Sequence, residues 1–286
     1  MEVVRSRTEL RAALARAPRP VGLVPTMGWL HAGHVSLVER ARSESGTVVM
    51  SIFVNPRQFT DPSDFERYPR NEARDLETAR RSGVDFVFAP PVDEVYVPGF
   101  VTTVHVAAVG DPLEGAARPG HFDGVATVVA ILFALVGAER AYFGLKDYQQ
   151  VMVIRRMALD LALPTEVVPC PTVREADGLA MSSRNARLSP EARRAAPVLR
   201  SALLVARECW AAGEVSADVL RDEMHRTLAA EPRAAVDYVS VADAETLREL
   251  ETVDRPALLS LAVRFDDVRL IDNELLDAGT GGSRAV

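Results

Sequence analysis

Short apolar runs alternate with longer amphipathic stretches through the first 175 residues of the chain. The runs are rich in β-branched and aromatic residues and are apolar throughout, which is typical of strands buried on both faces of a parallel sheet. A run at 101–108 is a candidate for a further strand at an edge. The alternation predicts βαβ units, and therefore an α/β fold with a doubly wound, Rossmann-like parallel sheet. The predicted strands span 21–26, 47–54, 85–90, 141–144 and 165–173, and the predicted helices span about 34–44, 71–82, 122–137 and 146–162.

The pattern changes after Arg174. A polar loop leads to a helix that begins at Ser189-Pro190, a good N-cap and first-turn pair, and a second helix follows at about 216–229. The runs VDYVSVAD, ALLSLAVRF and VRLIDN then predict a small antiparallel sheet. The predicted domains are a Rossmann-like domain of residues 1–174 and a smaller C-terminal α+β domain of residues 175–286.

Composition narrows the class of protein. The net charge of −7 argues against a nucleic-acid partner, because such partners favour a basic surface. No apolar run approaches the roughly 18 residues that a membrane span needs, and the N-terminal segment lacks the apolar stretch of a secretion signal. The two cysteines form no disulfide or metal-binding pattern. We therefore expect a cytoplasmic protein without nucleic-acid or membrane partners.

The chain uses some polar residues very rarely. Among its 33 Lys and Arg residues there is a single lysine, Lys146, and the three glutamines are Gln58, Gln149 and Gln150. These residues fall just after predicted strands, at the edge of an open α/β sheet where ligands bind. They are therefore the first candidates for chemistry.

The motif PTMGWLHAGH (25–34) lies between the first predicted strand and the first predicted helix. Pro25 and Gly28 favour a turn, Gly33 lets a ligand approach the backbone, and the spacing of His31 and His34 places both imidazoles on one side of a helix start. Because a helix N-terminus offers free N–H groups and a partial positive charge, the motif suits a phosphate. A turn with two solvated histidines is the alternative; the strand-to-helix position favours the phosphate site.

Gln58 follows the second predicted strand in SIFVNPRQF (51–59), so it should enter the same crevice. Its amide offers donors and an acceptor to a hydroxylated carboxylic acid. Taken alone, it is also compatible with an ordinary loop glutamine.

Another strand end carries the motif FGLKDYQQ (143–150). Lys146 and Gln150 are four residues apart, which predicts one helical face, with Asp147 beside them. A solvated lysine at a helix start is the alternative. However, a lone lysine in a chain that otherwise uses arginine favours a lysine side chain that binds phosphate.

The motif PTVREADGLAMSSRN (171–185) follows the last strand of the first domain. Ser182, Ser183 and Arg184 are a candidate for a cationic loop that closes over a nucleotide, and an interdomain linker is an equal alternative. Arg118 and His121 precede the apolar helix, where they either line the pocket or cap the helix.

Together these motifs resemble those of the pantothenate synthetase (pantoate–β-alanine ligase) family, within the H-x-G-H nucleotidyltransferase superfamily. The resemblance rests on PTMG-x-LH-x-GH, SIFVNP-x-QF, G-x-KDYQQ and TVREADGLAMSSRN, in that order, between about Val21 and Asn185. It is weaker in the second domain, where VDYVSVAD still matches. The resemblance implies an AMP-forming ligase of pantothenate biosynthesis, which by analogy is a homodimer with the second domain as a lid.

The resemblance also implies a role for each matching position. Gln58 and Gln150 would bind pantoate, with Met27 packed on its methyl groups, and Gln58 would also lie near β-alanine. His34 matches the residue described as the proton donor. The residues expected to supply cations to the phosphates are His31, His34, Lys146 and Arg184. The residues expected to bind ATP are Met27, Gly28, Trp29, Leu30, His31, Ala32, Gly33, His34, Gly144, Leu145, Lys146, Asp147, Val173, Met181, Ser182, Ser183 and Arg184.

The sequence departs from the family pattern at three places. Trp29 stands where a small residue is usual, and Leu145 replaces a frequent glutamate before the lysine. Arg74 and Asp75 occupy a place where some members carry two acidic residues near magnesium. We therefore predict no protein ligand for a metal, with Mg²⁺ held mainly by the phosphates of ATP.

The implied reaction has two steps, formation of a pantoyl adenylate with release of pyrophosphate and attack by β-alanine with release of AMP. A nucleotidyltransferase that stops after transferring the nucleotide is a second hypothesis, which the absence of an amide product would support. A nucleotide-binding regulatory module without turnover is a third. The presence of Lys146 and both histidines argues against it.

Overall fold

The structure is a computed structural model that describes residues 1–277, and these residues form two compact units. The first unit is Met1–Val173, and the second begins at Arg174. Each has its own hydrophobic core, so each is described by itself.

The first unit is built on a six-stranded parallel sheet in the order β1-β4-β3-β2-β5-β6. After the edge strand β1, the chain enters the middle of this sheet at β2, extends to one side and then crosses to the other. The order therefore reverses between β2 and β5, and the α/β fold predicted from the sequence is confirmed. The strands are β1 (Glu2–Val4), β2 (Val21–Thr26), β3 (Thr47–Ile52), β4 (Phe86–Phe88), β5 (Arg140–Gly144) and β6 (Glu166–Cys170).

Helices cover the two faces of the sheet, as the βαβ pattern requires. The most apolar of them, α7, has twelve buried residues in sixteen and ends at Gly137, whose left-handed backbone (φ 57°) is a common helix stop. The helices of this unit are α1 (Arg7–Leu14), α2 (Ala32–Glu44), α3 (Pro62–Glu66), α4 (Glu72–Arg81), α5 (Val92–Val95), α6 (Glu114–Ala117), α7 (His121–Val136) and α8 (Tyr148–Asp160), with 3-10 turns at Pro56–Gln58 and Leu145–Asp147.

The second unit packs three helices on a three-stranded antiparallel sheet in the order β7-β8-β9. Strand β8 is buried along nearly its whole length and pairs with both neighbours, which explains its almost unbroken apolar sequence. The elements are a 3-10 turn at Ser183–Arg187, α9 (Pro190–Ala195), α10 (Val198–Ala211), α11 (Ala217–Ala229), β7 (Ala235–Asp243), β8 (Ala257–Phe265) and β9 (Val268–Leu276).

The run at 101–108 is not a strand, so that part of the prediction is wrong. The segment is instead held to the start of α7, where Thr127 accepts the Val104 N–H through its hydroxyl oxygen (2.9 Å) and Asp123 pairs with His105 (2.9 Å). Strand β1, which the sequence pattern missed, pairs with β4 at the edge. None of the helices in residues 1–277 is long and apolar enough to cross a membrane.

Candidate active site

The turn after β2 is shaped by two residues with positive φ, Gly28 (80°) and Trp29 (50°). Thr26 fixes its start, because its hydroxyl donates to the Ser51 carbonyl of β3 (2.7 Å) and accepts the Gly28 N–H (3.2 Å). Glycine is required at 28 for space as well as for φ, since a Cβ there would meet Asp75 Oδ2 at 2.8 Å.

Asp75 holds this turn from helix α4. Its carboxylate is only 1% exposed and accepts the backbone N–H groups of Trp29 and Leu30, each at 2.8 Å. Both oxygens therefore serve the turn. The side chain fits the role of a backbone clamp better than that of a metal ligand, and residues 1–277 contain no group of three or more His, Cys, Asp and Glu side chains that could hold a metal ion.

His31 and His34 form the N-terminal cap of α2. His31 is the N-cap residue, its Nδ1 accepts the Gly33 N–H (3.2 Å), and His34 Nδ1 accepts the His31 N–H (3.3 Å). This is the reciprocal arrangement of a capping box, made here by two imidazoles. Because both Nδ1 atoms accept, the proton of each neutral ring lies on Nε2, which is left to donate outward.

Both histidines are uncharged at neutral pH. Burial and the nearby charge of Lys146 lower the pKa of His31 to about 4. Burial, then His31 and Lys146, lower the pKa of His34 to about 3. The geometry explains the direction, since protonation would turn an Nδ1 acceptor towards an N–H donor and place two charges on rings 4.1 Å apart. These pKa values contradict the expectation that the two histidines carry positive charge: both rings are neutral, with the N–H on Nε2.

Lys146 supplies the positive charge beside this pair. It lies in the 3-10 turn Leu145–Asp147, directly after β5, rather than in α8 itself. The helix predicted at about 146–162 therefore begins as a 3-10 turn and becomes α-helical at Tyr148. The ammonium is half-buried, 3.5 Å from Asp147, and its charge acts on both histidines. The switch point, where the strand order reverses between β2 and β5, thus brings the ends of these two strands together, as expected for motifs that follow parallel strands.

Gln58 is buried after β3 and contacts the turn that follows β2. Its Nε2 lies 3.1 Å from the sulfur of Met27, and its Oε1 accepts from Asn55 Nδ2 (3.0 Å). Asn55 is itself 1% exposed, donates to the Gly124 carbonyl and accepts the Tyr96 hydroxyl (2.7 Å). Gln58 is therefore a positioned side chain and not an ordinary loop glutamine.

Arg118 and His121 hold the backbone of the same loop. His121 Nδ1 donates to the Gln58 carbonyl (2.7 Å), and Arg118 donates to that carbonyl (3.2 Å) and to His121 Nε2 (3.3 Å). The sequence left open whether Arg118 and His121 line the pocket or cap the helix. Their hydrogen bonds instead fix the loop that carries Gln58.

The neighbouring glutamines Gln149 and Gln150 differ sharply. Gln149 is buried, accepts the Glu114 N–H and donates to the carbonyls of Val109 and Pro112. Gln150 is partly exposed on the first turn of α8, and its amide makes no hydrogen bond within residues 1–277. Gln149 therefore has a structural role, whereas the Gln150 amide is without a hydrogen-bond partner among residues 1–277.

The predicted residues Met181 to Arg184 belong to the second unit. Ser182 caps a 3-10 turn by accepting the Arg184 N–H (3.2 Å), and Ser183 is buried. Val173 is the last residue of the first unit.

The structural roles of Asp75, Asn55 and Gln149 were not predicted. Asn55 and Gln149 lie inside quoted motifs, so their type and position were visible, but their burial was not. Asp75 comes from a different segment of the chain, and only the fold brings it to the turn at Trp29.

A parallel doubly wound sheet whose switch point joins an H-x-G-H turn to a lysine is typical of nucleotide-binding enzymes of the nucleotidyltransferase class. The family model for pantoate-beta-alanine ligase matches residues 2–275. The chain belongs to the pantoate-beta-alanine ligase family.

Relatives agree with this assignment over nearly the whole chain. A pantothenate synthetase of Roseiflexus sp. (strain RS-1) is 58% identical over 97% of this chain and 100% of its own length. The crystal structure of a pantothenate synthetase from Thermus thermophilus matches with a TM-score of 0.92 and 52% identity, covering 96% of this chain and 99% of that one. A pantoate-beta-alanine ligase from Francisella tularensis, complexed with beta-gamma ATP and beta-alanine, matches with a TM-score of 0.80 and 31% identity, covering 96% and 97% of the two chains.

Proposed function

We propose that the protein condenses (R)-pantoate with β-alanine to give pantothenate, with cleavage of ATP to AMP and pyrophosphate. The observation that carries this proposal is the meeting of the H-x-G-H turn and Lys146 at the switch point of a chain that belongs to this ligase family. ATP is the co-substrate, and the products place the enzyme in pantothenate biosynthesis.

In the first step, a carboxylate oxygen of pantoate bonds to the α-phosphorus of ATP, and the bond to the β-phosphate oxygen breaks, releasing pyrophosphate. His31 and His34 donate from Nε2 to phosphate oxygens, and Lys146 contributes the positive charge. Such fixed donors act by stabilising charge in the transition state and by positioning the reactants. Gln58, Gln150 and Met27 hold pantoate.

In the second step, the neutral amine of β-alanine attacks the acyl carbon of pantoyl adenylate. The bond to the AMP oxygen breaks, AMP leaves as an anion, and the proton of the amine passes to solvent. No side chain serves as a nucleophile in either step, so catalysis rests on orientation and electrostatics.

Mg²⁺ enters as part of the substrate, bound to the phosphates of ATP. This agrees with the use of both Asp75 oxygens by backbone N–H groups. Three further points extend the proposal by analogy with the family. The second unit acts as a lid and contributes Arg184 as a further cation. The enzyme is a homodimer, and it works in the cytoplasm.

The direct test is pyrophosphate release by purified protein with ATP and Mg²⁺, with and without pantoate. We expect pantoate-dependent pyrophosphate before β-alanine is added, and AMP with amide product afterwards. Pyrophosphate that does not depend on pantoate would contradict the assignment. Pyrophosphate without amide formation would favour a nucleotidyltransferase instead.

A further inference from the structure

Trp29 and Arg74, which depart from the family pattern separately in the sequence, are in contact in the structure. The Arg74 guanidinium carbon lies 4.8 Å from the centroid of the Trp29 ring, a cation–π distance. Arg74 Nη2 also donates to the Leu30 carbonyl (3.1 Å). Two contacts therefore hold one guanidinium on the outside of the turn that leads to His31.

This arginine has no acidic partner within residues 1–277. By contrast, Arg80 and Arg81 on the same helix both pair with Glu77, at 2.9 and 2.7 Å. The adjacent carboxylate, Asp75, is turned inward to the backbone of Trp29 and Leu30. The exposed Arg74 charge is therefore both positioned and uncompensated, which is unusual for a merely solvated arginine in a chain of net charge −7.

The Arg74 guanidinium contacts Trp29 and Leu30, the two residues that precede His31 in the turn. Its charge is among the causes that lower the pKa of His31, whereas the pKa of His34 responds to His31 and Lys146. Arg74 and Lys146 are thus both close enough to act on His31. With both imidazoles neutral, Arg74 and Lys146 are two side chains that bring positive charge to the H-x-G-H turn.

We propose that Arg74, stacked on Trp29, binds the β- and γ-phosphates of ATP and the pyrophosphate that leaves. The inference rests on the proposed function, because it adds a residue to the same ATP site. A planar guanidinium with N–H groups free of its Leu30 contact can donate two parallel hydrogen bonds to phosphate oxygens.

The test measures dissociation constants by calorimetry for Mg-ATP, inorganic pyrophosphate and AMP. We expect Arg74→Gln to weaken binding of ATP and pyrophosphate by about tenfold, because a charged hydrogen-bonded contact is lost, and to leave AMP binding unchanged. Trp29→Leu, which keeps the guanidinium but removes the ring under it, should weaken pyrophosphate binding by a few-fold. Trp29→Phe should retain most of it.

Arg81→Gln is the matched control, since it removes an exposed, carboxylate-paired arginine from the same helix. It should bind all three ligands as the wild type does. Unchanged pyrophosphate binding by Arg74→Gln would overturn the inference, and so would an equal loss of AMP binding, which would indicate a displaced turn.

The wild-type activity assay separates this inference from the proposed function. If the wild type forms AMP from pantoate and β-alanine but Arg74→Gln binds pyrophosphate normally, only the inference fails. If the wild type forms no pantoate-dependent AMP while Arg74→Gln still loses pyrophosphate binding, only the proposed function fails.

Discussion

Helices α2 and α8 both begin at the switch point, but their first residues are stabilised in different ways. The start of α2 is fixed by internal hydrogen bonds, with His31 and His34 capping the helix and Asp75 clamping the preceding turn. The start of α8 has no side-chain cap, and it carries the lysine of the 3-10 turn and the partly exposed Gln150.

The two helix starts therefore differ in the groups they carry: oriented, neutral N–H groups at α2 and a positive charge at α8. The capped start gives neutral donors at fixed positions, since burial and mutual proximity lower the pKa of both imidazoles. The other start has the positive charge of Lys146 and the partly exposed amide of Gln150, which we propose to bind pantoate. The positive charge of Lys146 in turn helps to keep the histidines neutral, so the two helix starts are electrostatically coupled.

Removing the His34 donor should have the largest effect. We expect His34→Ala to lower the rate of adenylate formation by roughly 10²–10³-fold, the usual scale for loss of one oriented donor. Single-turnover pyrophosphate release measures it. His225→Ala, an exposed histidine on α11, is the control and should keep the wild-type rate. A folded His34→Ala enzyme with nearly full rate would show that His34 only caps the helix.

Changing the shape of the cation at the other helix start should cost less. Lys146→Arg keeps the charge but replaces a compact ammonium by a broad planar group. We expect normal folding and a loss of adenylation of at least about tenfold, or roughly 1.4 kcal/mol of transition-state stabilisation. Arginine at this position with unchanged turnover would mean that only the charge matters there.

Replacement of each of the two glutamines of α8 by alanine should affect a different property, substrate binding for Gln150 and stability for Gln149. Gln150→Ala should raise the KM for pantoate by about tenfold, because an amide contact to a charged ligand is lost, with ATP affinity and stability nearly unchanged. Gln149→Ala should instead lower the free energy of unfolding by about 1–3 kcal/mol, because it strands the Glu114 N–H and two carbonyls. Steady-state kinetics and urea denaturation of both variants test this contrast, which fails if the roles are exchanged.

The smallest effect concerns pH and stability. The folded-state pKa values of about 4 and about 3 for His31 and His34 lie below the ordinary value near 6.5. As pH falls below about 6.5 the unfolded chain takes up protons that the folded chain does not, so stability falls. After a discount for partial exposure, we expect a loss on the order of 1 kcal/mol per histidine by about pH 5.

His34→Gln isolates the contribution of His34 to this pH dependence of stability. Glutamine is an ordinary capping-box residue at the same position, and it does not titrate in this pH range. Its unfolding free energy, measured in urea between pH 7 and 5, should fall less steeply than that of the wild type. Equal slopes would mean that His34 keeps an ordinary pKa.

The sequence was sufficient to predict those parts of the fold and of the site that depend on a local pattern or on a general rule of α/β folds. Apolar runs located β2 at residues 21 to 26, and the rule that ligands bind at carboxyl strand ends grouped His31, His34 and Lys146. The run at 101–108 has strand-like residues, but its backbone and side chains bond to α7, which a period-two pattern does not reveal. The neutral state of the histidines depends on burial, which no spacing shows.

The central claim is that a pantoate carboxylate attacks the α-phosphate at this switch point. Pantoate labelled with ¹⁸O in its carboxylate tests it most directly, because the oxygen that bonds to phosphorus leaves with AMP when β-alanine attacks the acyl carbon. We predict that mass spectrometry of the products finds ¹⁸O in AMP, and none in pyrophosphate, during turnover with ATP and β-alanine. Unlabelled AMP, or ADP with labelled inorganic phosphate, would contradict the account.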